Sequence, residues 1–130
     1  MSDKGLRYNS NKNKLELIPP EWEWALGMVT TKGSEKYAPR NWEKGMDHSI
    51  MIGCMKRHIA KYLAGQKYDM GETGCHHLAM VAWNALALMS YDLRNLGNND
   101  IPVSSLAVLE NTCVEEIDKE LNYRRDDIGL

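Results

Sequence analysis

From Thr73 to Leu96 the chain is apolar on nearly every side of a helix, through Leu78, Val81, Ala82, Ala85, Leu86, Leu88 and Met89. A helix without a wholly polar face belongs between other elements. This segment predicts a central helix, from Thr73 or Gly74 to about Leu96, with Gly97 stopping it. The rest of the chain must then supply its neighbours.

Those neighbours are helical in pattern. Pro19-Pro20 fits a first helical turn, where a missing N–H costs nothing. Glu21 and Glu23 place acid at the positive end of the dipole, and Trp22, Leu26, Val29 and Gly33 follow at helical spacing. A helix over about 20–36 is expected. Pro39, Asn41 and Gly45 mark a loop across 37–45. Asp47 or Ser49 can cap the next helix, whose apolar stripe is Ile52, Met55, Ile59, Tyr62 and Leu63, with Gly65 suited to its end. A last helix over about 104–123 repeats Leu106, Leu109, Cys113, Ile117 and Leu121, after a linker at 98–102. The lead-in, 1–17, is polar, and the tail RRDDIGL is expected to be loose. No run reads as a strand. The expectation is one all-α domain over 1–130, a four-helix arrangement with its core at about 18–97.

Composition narrows the function classes. At 130 residues with 43% apolar content the chain can form one core. Bulk comes from four Trp and eight Met, with no Phe. The net charge of −2 speaks against binding nucleic-acid polymers, which calls for a basic stripe. Three scattered cysteines form no disulfide framework, and no apolar leader or membrane-length stretch is present. A cytoplasmic location is expected, with neither membrane nor nucleic acid as partner.

Chemistry concentrates between Arg57 and Asn84. Asp69 and Glu72, three apart, can share a hard divalent cation such as Mg²⁺ or Mn²⁺, or can simply favour the following helix through its dipole. His76 and His77 project about 100° apart on a helix, so one site cannot readily use both. His77 shares a side with Asn84 and is the inward candidate. His58, Lys61 and Arg57 form a polar stripe that is either solvated charge or a phosphate grip. Asn84, inside the most apolar helix, must pair with backbone or read a ligand. Glu35 either projects into the bundle as a further ligand or is a surface charge. Trp42 and Asn41 could stack on a base and read its edge, or Trp42 could anchor the loop. No GxxxxGK[ST], GxGxxG, HExxH or CxxC occurs.

Taken in order, LELIPPE at 15–21, GSEKYAPRNWEKG at 33–45, KRHIAKYLAGQ at 56–66, and DMGETGCHHL followed by Asn84 resemble a family of small phage and bacterial proteins. These are dATP/dGTP diphosphohydrolases of the MazZ type, within the all-α nucleoside triphosphate pyrophosphatase (MazG-like) group. The likeness covers roughly residues 5–95. Met80 stands where the family often carries a second histidine. The resemblance implies Mg²⁺- or Mn²⁺-dependent cleavage of a purine deoxynucleoside triphosphate, dGTP before dATP, to monophosphate and pyrophosphate. It places such an enzyme in phage nucleotide metabolism for 2-aminoadenine DNA. On that basis Glu35, Asp69, Glu72 and His77 are the expected metal ligands. Glu35, Glu72, His58, Arg57 and Lys61 are the expected catalytic groups. Lys36, Arg40, Asn41, Trp42 and Asn84 are expected to bind substrate. A homodimer or homotetramer is expected, with the C-terminal helix a candidate interface. The alternatives are a non-enzymatic helical interaction module, or a metal phosphohydrolase of another type.

Overall fold

The computed structural model describes residues 4–8 and 10–111. The chain forms two compact units, Met1–Asp100 and Ile101–Leu130. In the first, three helices carry the architecture: α1 (Pro20–Lys36), α2 (His48–Leu63) and α3 (His77–Arg94). Short 3-10 turns at Leu15–Leu17 and Asn41–Lys44 precede α1 and α2. Among the described residues there is no strand, only two isolated bridges. The all-α expectation holds. In the second unit residues 106–111 are helical; the remainder of the helix expected to reach 123 lies outside the described residues.

α1 has the bounds its pattern predicts, with Pro20 at its first position and Glu21 and Glu23 in its first turn. α2 starts after Asp47, yet the Asp47 side chain makes no cap. The cap comes from afar: Asp100 accepts from the Ser49 backbone N–H at 2.8 Å and from its hydroxyl at 2.5 Å. These bonds hold the Asp100 carboxyl below the usual range.

α3 begins later than expected, at His77 and not at Thr73 or Gly74. Residues 67–77 fold back on themselves instead. Asp69 N–H donates to the Cys75 carbonyl (2.8 Å) and His77 N–H to the Lys67 carbonyl (2.8 Å). Gly71 and Gly74 take positive φ, which a helix start cannot accommodate. The His76 ring then caps α3, Nδ1 accepting from Leu78 N–H at 3.1 Å. At the other end Asn95, left-handed at φ 55°, closes the helix after Arg94, two residues before Gly97.

α3 packs against both α1 and α2. Its core positions are Ala87 and the fully buried Tyr91, which meet Met51 of α2. One side of α3 remains open: Leu78, Leu86, Met89 and Leu93 are each at least 42% exposed. The helix that was expected to be enclosed all round is therefore enclosed on two sides among the described residues.

Candidate functional site

The described buried set is half polar: Val29, Met51, Cys75, Ala87 and Tyr91 against His48, His58, Asp69, His77 and Asn84. Burying polar groups costs free energy unless they are paired. His58, Asp69 and Asn84 line one cleft of about 430 Å³ between α1, α2, α3 and the two connections, a size that suits a small organic ligand.

The cleft gathers most of the groups singled out in the sequence. Lys36 and Arg40 approach from the end of α1 and its loop, Arg57 from α2, and Asp69 and Glu72 from the 67–77 connection. Asn41, Trp42 and Asn84 also line it. Trp83 and Thr73 line it too, and the sequence reading missed both. Trp83 sits edge-on to Trp42, with ring centroids 5.9 Å apart, and its indole N–H donates to the Thr30 hydroxyl at 3.0 Å. A tryptophan directly before the buried Asn84 was the available signal.

Three expected site residues lie elsewhere. Glu35 is solvent-facing, 3.6 Å from Lys32, and lines a separate concavity on the outer side of α1 with Trp24 and Met28. A helical period fixes which residues share a face but not which face turns inward, and here Val29 marks the inner side. Lys61 is exposed and does not line the cleft. His77 is sealed behind the cleft wall at 1% exposure. Its Nδ1 lies 2.8 Å from Nδ1 of His58, and its Nε2 has no hydrogen-bond partner.

Asp69 is tied into its own connection. Its carboxylate accepts from the Thr73 hydroxyl at 2.8 Å, with the Thr73 N–H at 3.5 Å. Burial pushes this carboxyl up, but the Thr73 bonds, with His58 and Lys61, outweigh it and leave Asp69 below the usual carboxylate range. His58 moves below the ordinary imidazole value, chiefly by burial, with Asp69 opposing and His77, Lys61 and Arg57 adding. Lys36 is raised, first by its bond to Tyr37 and less by Glu72 and Asp69. Asn84 donates to the Met80 carbonyl of its own helix at 2.7 Å, so one of its amide protons is satisfied by backbone.

The Trp42 wall is held from α3. The Tyr91 hydroxyl donates to the Trp42 carbonyl at 2.6 Å, and His48 stacks on Tyr91 at 5.6 Å. Arg94 lies over the Trp42 ring and, like Arg40, pairs with Glu43. Ala38 and Arg40 both have positive φ. Each such non-glycine residue costs about 1–3 kcal/mol and persists only where its surroundings impose it.

Among the described residues no three His, Cys, Asp or Glu side chains are grouped to hold a metal ion. Two cleft carboxylates nonetheless fit Mg²⁺ chemistry, because that ion is commonly held by one or two carboxylates together with substrate phosphates. None of the described helices is long and apolar enough to cross a membrane.

Residues 2–101 match the family described as dATP/dGTP diphosphohydrolase, N-terminal. A dATP/dGTP diphosphohydrolase of Salmonella phage PMBT28 is 29% identical over 96 residues, covering 74% of this chain and 32% of that protein. The chain thus spans about a third of the length of the relative it matches. No solved structure matches it.

Proposed function

The chain belongs to the dATP/dGTP diphosphohydrolase N-terminal family, and from that premise we propose that its cleft hydrolyses a purine deoxynucleoside triphosphate to the monophosphate and pyrophosphate. The observation that carries this reading is one cleft shared by four cations, two carboxylates and two tryptophans. Triphosphate recognition calls for fixed positive charge, and Arg57, with Lys36 and Arg40, supplies it. Trp42 and Trp83 offer apolar faces to a base, and Asn41 and Asn84 stand beside them as edge readers.

Water attacks the α-phosphorus, its oxygen forms the new bond and the proton it loses passes to solvent water, and the bond to the β-phosphate oxygen breaks with pyrophosphate leaving. Asp69 and Glu72 would hold Mg²⁺ or Mn²⁺, which when bound would supply charge neutralisation at the phosphates. The chain's own contribution is positioning and electrostatic complementarity, which dominate phosphoryl chemistry. The cations orient the triphosphate, and Asp69, locked by Thr73, keeps a fixed carboxylate at the phosphate end. We favour dGTP over dATP as substrate, with phage metabolism of 2-aminoadenine DNA in the cytoplasm as the setting.

A homo-oligomer fits the same chain. The open Leu78–Leu86–Met89–Leu93 side of α3 runs at helical spacing, and among the described residues the buried apolar set is small. Light scattering should give a mass of two or four chains, and Leu86→Glu should lower it. A monomer at micromolar concentration contradicts this assembly. The activity is tested by incubating the chain with each deoxynucleoside triphosphate and Mg²⁺ or Mn²⁺ and separating the products by chromatography. Monophosphate from dGTP or dATP, lost on adding chelator, is the expected result; no monophosphate from either purine contradicts the reading.

A further inference from the structure

The His58–His77 pair carries an inference about how the cleft meets its ligand. The two Nδ1 atoms are 2.8 Å apart, so a single proton lies between them. If His58 supplies that proton, neutral His77 must hold its own on Nε2, as an N–H buried without an acceptor. Orphaned buried donors are rare in folded proteins. If His77 supplies it, His77 Nε2 is a bare nitrogen, and neutral His58 carries its proton on Nε2. That second nitrogen of His58 is the one left for the cleft, since His58 lines the cleft and His77 does not. The Asp69 carboxylate lines the same cleft, and its negative potential favours a proton on the nitrogen facing it. His77 is also the first residue of α3, where the positive end of the helix dipole opposes a charged imidazole behind the wall.

We propose that His77 is a positioning residue: its Nδ1–H donates to Nδ1 of His58 and fixes His58 in the tautomer whose Nε2–H faces the cleft. Resting on the triphosphate reading, this makes His58 a neutral donor to a phosphate oxygen. Neither ring then serves as a metal ligand, and His58 is not a resting base. An arginine grips by charge; a neutral N–H selects for the position of an acceptor.

Nitrogen-15 NMR of the full chain with labelled histidine tests the tautomer without any turnover. The expected pattern is protonated Nε2 and bare Nδ1 for His58, with the reverse for His77, unchanged on adding Mg²⁺. A bare His58 Nε2, or one shifted by the metal, overturns the proposal. Kinetics give a second reading. His77→Phe, which removes the donor, should raise KM for dGTP about tenfold and change kcat less. His77→Asn, which keeps an N–H near the Nδ1 position, should recover most of that loss. Equal losses in both variants, or a loss confined to kcat, contradict the assignment. Should the chain hydrolyse neither purine triphosphate, the NMR pattern still decides the tautomer alone.

Discussion

The two connections that wall the cleft both pair locally with their own backbone, but only one of them also hangs on residues far along the chain. The 67–77 segment is self-contained: its backbone pairs with itself and Asp69 bonds Thr73 four residues on. The 37–47 segment is held from outside. Its Trp42 carbonyl hangs on Tyr91, and Met46 and His48 pair with Asn98. Gly45 passes so close to Gly97 that a Cβ on it would sit 2.6 Å from the Gly97 nitrogen. The carboxylate side of the cleft is thus locally determined, whereas the aromatic side depends on residues about fifty positions away.

Gly97→Ala attacks that dependence most strongly. Gly97 has φ 73°, and an added Cβ meets the Met46 backbone. The strain and overlap should cost about 3 kcal/mol, read by denaturant unfolding. Hydrogen exchange should accelerate across 37–47 before it does so across 69–75; simultaneous loosening would erase the contrast. Asp69→Ala attacks the local side. Losing a buried charged acceptor should cost about 2 kcal/mol, with protection lost at 69–75 and kept at Trp42. Tyr91→Phe leaves the Trp42 carbonyl without its buried donor, for about 1–2 kcal/mol. Tryptophan fluorescence should then shift while 69–75 stays protected; an unchanged spectrum would separate Tyr91 from the loop's placement.

The smallest expected effect is that of pH on His58. Unfolded, it takes up a proton near pH 6.5; folded, burial delays this to lower pH. The unfolded state binds more protons in that window, so stability falls as pH drops below about 6.5. His58→Asn should flatten this slope in parallel melts, and equal slopes would show that the imidazole contributes nothing to it.

What the sequence revealed follows the same division. α1 was legible because proline, acids and apolar period agree over its length. The 67–77 acids were legible as a cluster, although the Asp69–Thr73 bond and the glycines move the start of α3 to His77. Tyr91, His48 and Gly97 were not legible as supports of the cleft wall, since their roles arise only where distant segments cross. For Glu35 the sequence left an inward ligand and a surface charge both open, because a stripe pattern does not say which side meets the core; the structure puts it on the outer side of α1. His77 was rightly read as inward, but it meets His58 and not the cleft.

We propose that the triphosphate is cleaved in the inner cleft and not on the outer side of α1. Pyrophosphate release from dGTP by Glu72→Ala and Glu35→Ala, each compared with the parent chain, tests it most directly. Glu72→Ala should lose at least about a hundredfold, while Glu35→Ala stays within about twofold, as expected for an exposed pair with Lys32. Full activity in Glu72→Ala together with a collapse in Glu35→Ala would contradict it.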